Sequence, residues 1–490
     1  MLLKGGNAAD AAVAAAIALT VVEPVMNGIG ADAFALLWDG TALHGLNGSG
    51  RAPMSWSPER FAGRDAMPTE GWDAVTVPGA VSAWAAISSR FGRLPFEDLC
   101  QPAIDYARDG FLISPVVAKQ WEVQVPRLEK QPGFAEAFLR NGRVPHAGEL
   151  FRFPEQALTL QEIGRTRGES FYRGELAETL ASCAAGAGLT RADLAGHHPE
   201  WVVPASQSYR GYRVHEIPPN GQGLAALIAL GILEHFDLSP LGADSAETLH
   251  LEVEAMKLAF ADVYRYVADP ATMEWSWSNL LDPGYLQSRA MLLDRERAGR
   301  PVPGVPPSGT VYLAAADADG MMVSYIQSNY SGFGSGVVVP GTGISLHNRG
   351  AGFSLHPGHP NEVGPGKRPF HTIIPAFISR DGRPVMSFGV MGADMQPQGH
   401  VQMVIRLVDH GQNAQASADA PRWKIAMDGS LLLESGIADD VLNELSRRGH
   451  LARRASADSM EFGAAQLVYK LDDGYLAASD PRKDGQAVGF

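Results

Sequence analysis

Residues Ala11–Val22 form an apolar run, interrupted by Thr20 alone, framed by Asp10 and Glu23. Asn7 and Asp10 stand at the spacing of a capping box, so the run reads as one helix that is apolar around its whole circumference and stops before Glu23-Pro24. Such a helix needs core on every side, which commits the chain to a layered fold. The run is too short to cross a bilayer, a task that takes about twenty residues. It also fails as a secretory signal, because Gly5-Gly6-Asn7 and Asp10 interrupt the required order of basic start, apolar stretch and cleavage site. As given, the chain reads as cytoplasmic, with no membrane partner.

The elements that would supply the layers alternate in type. Ala33–Trp38 reads as a strand closed by the turn Asp39-Gly40, and Val81–Phe91 and Phe96–Asp109 as helices, the second opened by Pro95 and stopped by Gly110. Between Ser245 and Ala268, apolar residues recur every three or four positions from Leu249 to Val267, predicting a long amphipathic helix that ends at Asp269-Pro270. The segment from Ala298 to Gly309 is too rich in Pro and Gly for a regular element and reads as an extended linker. Beyond it come Thr310, a strand over Val311–Ala316, the turn Asp317–Gly320 and a second strand over Met321–Ser328. The expected class is therefore α/β or layered α+β.

Charge and cysteine content narrow the function. The 490 residues hold 40 Lys and Arg against 54 Asp and Glu, with no basic block. Nucleic acid is a poor partner, since displacing counterions from phosphates needs a positive patch. Cys100 and Cys183 are too few and too far apart for a disulfide framework or a cysteine zinc site. There is no G-x-S-x-G, Walker A, G-x-G-x-x-G or H-E-x-x-H motif. His347, His356, His359 and His371 could be offered as metal ligands, but without carboxylates at a ligand-like spacing they read better as loop histidines at a surface or site rim.

The sharpest chemical candidate is Thr310. A hydroxyl residue that opens a strand directly after an extended linker is what a self-cleaving N-terminal nucleophile needs. Cleavage between Gly309 and Thr310 would free an α-amine to serve as base for the same residue's Oγ. The other reading is a threonine that merely caps a strand. If the hairpin turn centres on Asp319, Ser328 falls opposite Thr310, within reach of its hydroxyl. Gly332–Gly336 and Met391-Gly392-Ala393 are tight backbone stretches able to offer N–H groups to an oxyanion, or else ordinary turns.

The motifs around these residues resemble those of γ-glutamyltranspeptidases, in order and over nearly the whole chain. They are Gly5-Gly-Asn-Ala-Ala-Asp-Ala-Ala-Val13, Val77-Pro-Gly79, Phe171-Tyr-Arg-Gly-Glu175, Tyr209-Arg-Gly-Tyr212 and Asp319-Gly320. Further on come Phe333-Gly-Ser-Gly336, Gly341-Thr-Gly-Ile344, Pro365-Gly-Lys-Arg-Pro369 and Ala420-Pro-Arg422. The stretch Phe388–His400 resembles the atypical, transpeptidase-like branch. The resemblance implies an α+β fold, the αββα sandwich of N-terminal nucleophile (Ntn) hydrolases. It implies a proenzyme cut into a heavy chain, residues 1–309, and a light chain, residues 310–490, which stay associated and share one core. Family members carry a further strand before the Gly-Gly-Asn motif, so the resemblance also implies a truncated or misassigned start at Met1.

Residue by residue, the resemblance makes Thr310 the nucleophile, Ser328 its assisting hydroxyl and the Gly392-Ala393 backbone the oxyanion hole, with no cofactor and no metal. The positions that grip the glutamyl donor depart from the family. Ser49 replaces an arginine, with Arg51 two residues on; Tyr330 replaces an asparagine; Arg349 and Gly352 replace a glutamine and an aspartate; His371 and Thr372 replace paired serines. Losing acidic and amide acceptors while gaining Arg349 disfavours an ammonium group and favours an anion. The expected activity is self-processing amide hydrolysis, favoured over transfer, on γ-glutamyl or related carboxylate-bearing amides. Glutaryl (cephalosporin-type) acylase and oxamate amidohydrolase are the alternatives, and a non-catalytic binding protein of the same fold is a third. A homo-oligomer is compatible with this reading.

Overall fold

The computed structural model describes residues 1–299, 309–457 and 459–490. These divide into two compact units, one built from residues 1–202 and 309–373, the other from 203–299 and 374–490. The linker expected over 298–309 lies, from 300 to 308, outside the described residues.

In the first unit the apolar run is the helix Ala8–Val22. Its capping box is complete: Asp10 N–H donates to Asn7 Oδ1 and Asn7 N–H to Asp10 Oδ2, each at 3.0 Å. The helix packs on the strands Gly309–Ala316 and Met322–Tyr330 and against the helix Phe96–Asp109. Asp317 in the hairpin turn accepts the Ala8 N–H at 2.8 Å, tying the helix start to the hairpin. Five antiparallel strands form the sheet, in the order Glu200–Val202, Leu43–Asn47, Asp32–Trp38, Met322–Tyr330, Gly309–Ala316. All nine residues of Met322–Tyr330 are buried, as a strand with covered faces must be. Loops close over the head of the sheet so tightly that a Cβ on Gly79 would fall 1.5 Å from the Gly48 carbonyl oxygen, and one on Gly50 1.5 Å from that of Val77. That approach explains the glycine of Val77-Pro-Gly79.

The second unit holds a six-stranded antiparallel sheet ordered Gly474–Ser479, Ala464–Leu471, Arg383–Met391, Ala376–Arg380, Tyr212–Glu216, Ala205–Tyr209. The helices Gly223–Leu233 and Met395–Val408 pack on it. The long helix runs from Ala246 to Tyr266 with Ser245 as N-cap, and Val267 is already extended. It is not simply amphipathic, because His250, Glu252, Glu254, Lys257 and Asp262 are buried as well as the apolar stripe. Those polar groups find partners inside the unit, among them Trp423 Nε1 on Glu252 Oε2 at 2.5 Å and Lys257 Nζ on Glu254 Oε1 at 2.7 Å.

Candidate active site

The hairpin keeps the expected register from Val311, opposite Gln327, to Ala316, opposite Met322. Beyond Val311, Gly309 pairs with Tyr330, so the register shifts by one and the single residue Thr310 stands opposite two, Ser328 and Asn329, the extra residue of the bulge lying on Met322–Tyr330. Thr310 Oγ1 still comes within 3.5 Å of Ser328 Oγ, and both residues are buried. Ser328 Oγ accepts the Tyr330 N–H at 2.8 Å, which fixes the hydroxyl's position. The cross-strand neighbour of Ser328 is Asp32, at the head of the strand Asp32–Trp38.

Tyr330 has φ 77°, a left-handed conformation costly for a bulky residue, and its ring lies under the Arg349 guanidinium at 4.9 Å. Arg349 is 1% exposed; its Nη1 donates to Thr372 Oγ1 at 2.9 Å, while Nε and Nη2 are buried without a hydrogen-bond partner. Burial pulls its pKa down to about 10, against the pull of Asp32, so the group is a cation at neutral pH. Arg51, the other expected anion-binding residue, is half-exposed and already bonded to the Gly366 carbonyl at 3.0 Å and the Glu200 carboxylate at 3.3 Å. Glu200 also pairs with buried Arg368 at 2.9 Å.

The expectation of surface or rim histidines fails for two of the four. His356 is exposed and His359 half-buried, whereas His347 and His371 have no exposed surface. Both face Asp32, at 3.5 Å from His347 Nε2 to Oδ1 and 3.2 Å from His371 Nε2 to Oδ2. The amides of Gly50 and Gly79 donate to Asp32 Oδ1 at 3.3 and 2.9 Å. Burial alone would raise the Asp32 pKa, but the two histidines, His347 foremost, hold it well below the carboxylate range. Burial pushes His371 down to about 3, leaving it neutral. Asp32 escapes a motif search; its signal in the sequence is a lone carboxylate heading an otherwise apolar strand.

The second unit contains Gly392 and Ala393, at the strand-to-helix turn before Met395–Val408. Their φ values are 124° and 55°, both left-handed, and a Cβ on Gly392 would lie 3.1 Å from Gly463 Cα. Gln222 Nε2 donates to the Ala393 carbonyl at 2.7 Å. Two residues before Gly392 on the strand, the Val390 N–H donates to Nε2 of His400 on the helix at 3.1 Å, and His400 Nδ1 contacts buried Glu216 at 2.7 Å. In Gly332–Gly336, offered above as a further oxyanion donor, the amides of Phe333, Gly334, Ser335 and Gly336 are already engaged, donating to the carbonyls of Val25, Ser331, Leu346 and Phe333. This stretch is a structural turn, with the Phe333 ring packed among Trp121, Phe134 and Phe138.

Among the described residues, the group with metal-type donors close together is His250, Glu254 and His450 in the second unit. A cation already sits there: Lys257 Nζ lies 2.7 Å from Glu254 Oε1 and 3.5 Å from His450 Nδ1. His250 in turn bonds His450 at 2.8 Å and the Asp294 carbonyl at 2.7 Å. Every donor is engaged, so the cluster reads as a buried hydrogen-bond chain.

Two antiparallel sheets with covering helices, and a threonine beginning a strand beside a second hydroxyl, define the Ntn-hydrolase class. The class is confirmed by likeness to a solved structure described as cephalosporin acylase from Bacillus halodurans. That likeness has a TM-score of 0.94 at 47% identity, over 99% of this chain and 92% of the other. The family model described as Gamma-glutamyltranspeptidase matches residues 1–490, and the chain belongs to that family. It is 38% identical to the Glutathione hydrolase-like YwrD proenzyme of Bacillus subtilis, over 100% of this chain and 95% of the relative. It is likewise 38% identical to the Oxamate amidohydrolase proenzyme of Klebsiella pneumoniae, again over 100% and 95%.

Proposed function

We propose that this protein is a self-processing threonine amidohydrolase whose substrates carry a carboxylate but no α-amine next to it. The observation that carries the substrate assignment is Arg349, a buried cation with two unfilled donors on one edge. A carboxylate fits such an edge in a two-point grip, whereas an ammonium group is repelled. The relatives named glutathione hydrolase-like, oxamate amidohydrolase and cephalosporin acylase support amide hydrolysis as the shared reaction. They also support a proenzyme cut into two associated chains.

In this reading Thr310 Oγ first attacks the Gly309 carbonyl, the scissile C–N bond breaks, and water hydrolyses the resulting ester to leave residues 1–309 and residues 310–490. The freed Thr310 amine then takes the Oγ proton as Oγ attacks the substrate amide. Ser328 steadies the attacking hydroxyl. The Gly392 and Ala393 amides stabilise the oxyanion, a role that alanine fills as well as glycine because only the N–H is used. The amine product leaves and water resolves the acyl-enzyme. Arg349, with Thr372 and Tyr330, holds the acyl group's far carboxylate, with Arg51 and His371 outside direct contact. No cofactor enters the sequence of steps.

A substrate panel tests the assignment: γ-glutamyl, glutaryl and succinyl anilides beside oxamate. Glutaryl, succinyl or oxamate turnover well above that of the γ-glutamyl compound is expected. A γ-glutamyl compound turned over far faster than its des-amino analogue would reverse the argument from Arg349.

A further inference from the structure

The buried carboxylate of Asp32 has no place in the mechanism above, yet two paths run from it to the two ends of one contact, one starting in a hydrogen bond to His371 and the other in a close contact with His347. On one side His347 Nε2 faces Asp32 Oδ1 at 3.5 Å, and His347 Nδ1 accepts the backbone N–H of Arg349 at 3.2 Å. On the other, His371 Nε2 faces Asp32 Oδ2 at 3.2 Å, and His371 Nδ1 accepts the N–H of Ile373 at 3.4 Å, bracketing Thr372. Arg349 Nη1 donates to Thr372 Oγ1 at 2.9 Å. Each imidazole accepts at Nδ1, so each carries its proton on Nε2, directed at the carboxylate. With the amides of Gly50 and Gly79, His371 makes three hydrogen-bond donors on one anion, and His347 Nε2 faces it as a fourth polar group in close contact.

We propose that Asp32 is a positioning residue for substrate specificity. Through His347 and His371 it fixes both ends of the Arg349–Thr372 contact and so keeps the Nε–Nη2 edge of Arg349 turned toward the substrate carboxylate. The proposal rests on the reading of Arg349 given above. Two physical requirements support it. A buried guanidinium without a carboxylate partner is costly and leaves for solvent unless an opposite charge nearby compensates it. Asp32 supplies that charge while its own lone pairs are filled, so it does not close onto Arg349 and fill the donors that the substrate needs. Asp32 also lies across the strand pair from Ser328, which puts the carboxylate that orders the receptor on the same sheet face as the reacting hydroxyls.

The test compares Asp32→Asn, His347→Gln, Arg349→Gln and the Asp32→Asn/Arg349→Gln double variant with wild type. The probes are a glutaryl anilide and the same anilide with its far carboxylate converted to a carboxamide. For Asp32→Asn, KM for the charged substrate should rise about tenfold or more, with kcat nearly unchanged and the uncharged substrate unaffected. The double variant should discriminate no worse than Arg349→Gln alone, because both substitutions remove one interaction. An equal loss on both substrates, or a fall in KM from relieved repulsion, would overturn the role of Asp32. Should Asp32→Asn not accumulate as soluble protein, His347→Gln decides. With its NH2 group facing Asp32, the glutamine amide places no acceptor where Nδ1 met the Arg349 N–H, so the same KM-only loss is expected, and a wild-type KM would refute the proposal. If Arg349→Gln itself keeps the preference for the charged substrate, the Arg349 reading fails instead.

Discussion

Replacing Arg349 with glutamine should separate stability from activity. The guanidinium is 1% exposed, spends one donor on Thr372 and leaves Nε and Nη2 unfilled. Without substrate, those two donors are desolvated for no return, and burial already lowers the pKa to about 10. Removing the charge therefore relieves a penalty, while the cation–π contact with Tyr330 that is lost contributes about 0.5–2 kcal/mol. The two roughly cancel, and Tm of the free enzyme should stay the same or rise. Activity moves the other way. A two-point, charge-assisted grip on a carboxylate contributes about 2–4 kcal/mol, so kcat/KM for a carboxylate-bearing amide should fall about 30- to 700-fold. Thermal melting beside steady-state kinetics on charged and uncharged anilides reads both effects. A marked drop in Tm with equal losses on the two substrates would make Arg349 a structural cation and refute the reasoning.

Gly392→Ala places a side chain at φ 124° and 3.1 Å from Gly463 Cα, so the turn must shift. If its amides hold the oxyanion, kcat should fall about 10²–10³-fold with KM nearly constant in single-turnover and steady-state assays. Gly79→Ala drives a Cβ to 1.5 Å from the Gly48 carbonyl oxygen and disturbs an amide that holds Asp32. A loss of about 3 kcal/mol or more in urea unfolding is expected. Burial pushes His197, which contacts Ser82 Oγ at 2.8 Å, down to about 3. It stays neutral in the folded chain while the unfolded chain takes up a proton near pH 6.5. Its contribution is therefore full above about pH 6.5 and is lost toward pH 3 at up to about 1.4 kcal/mol per unit. His197→Gln should flatten that acid limb in urea melts between about pH 4 and 7.

Local signals carried the sequence reading wherever short-range physics decides. The capping box at Asn7 and Asp10, the helix from Pro95 to Gly110 and the Asp317–Gly320 turn all depend on neighbours within a few residues, and the structure has them where expected. The hairpin register holds from Ala316 to Val311 and has shifted by one at Gly309, because a bulge depends on how the strand end is held rather than on the turn. Arg349 stood out as a departure from the family pattern. Its unfilled edge was invisible, since it depends on Thr372, Tyr330 and a carboxylate more than three hundred residues away in sequence. His347 and His371 were misplaced for the same reason: among Pro and Gly they looked exposed, and only the fold brings Asp32 to them. The polar groups of Ala246–Tyr266 followed suit, buried because each has a distant partner.

The central claim is that Thr310 is both the cleavage point and the nucleophile, and the intact mass of purified wild-type protein beside Thr310→Ala tests it most directly. Two fragments of about 33 and 19 kDa by residue share, the smaller beginning at Thr310, are expected for the wild type, with the variant remaining one 52.3 kDa chain. An uncut wild-type chain that still hydrolyses amides, or a variant cut at the same bond, would contradict it.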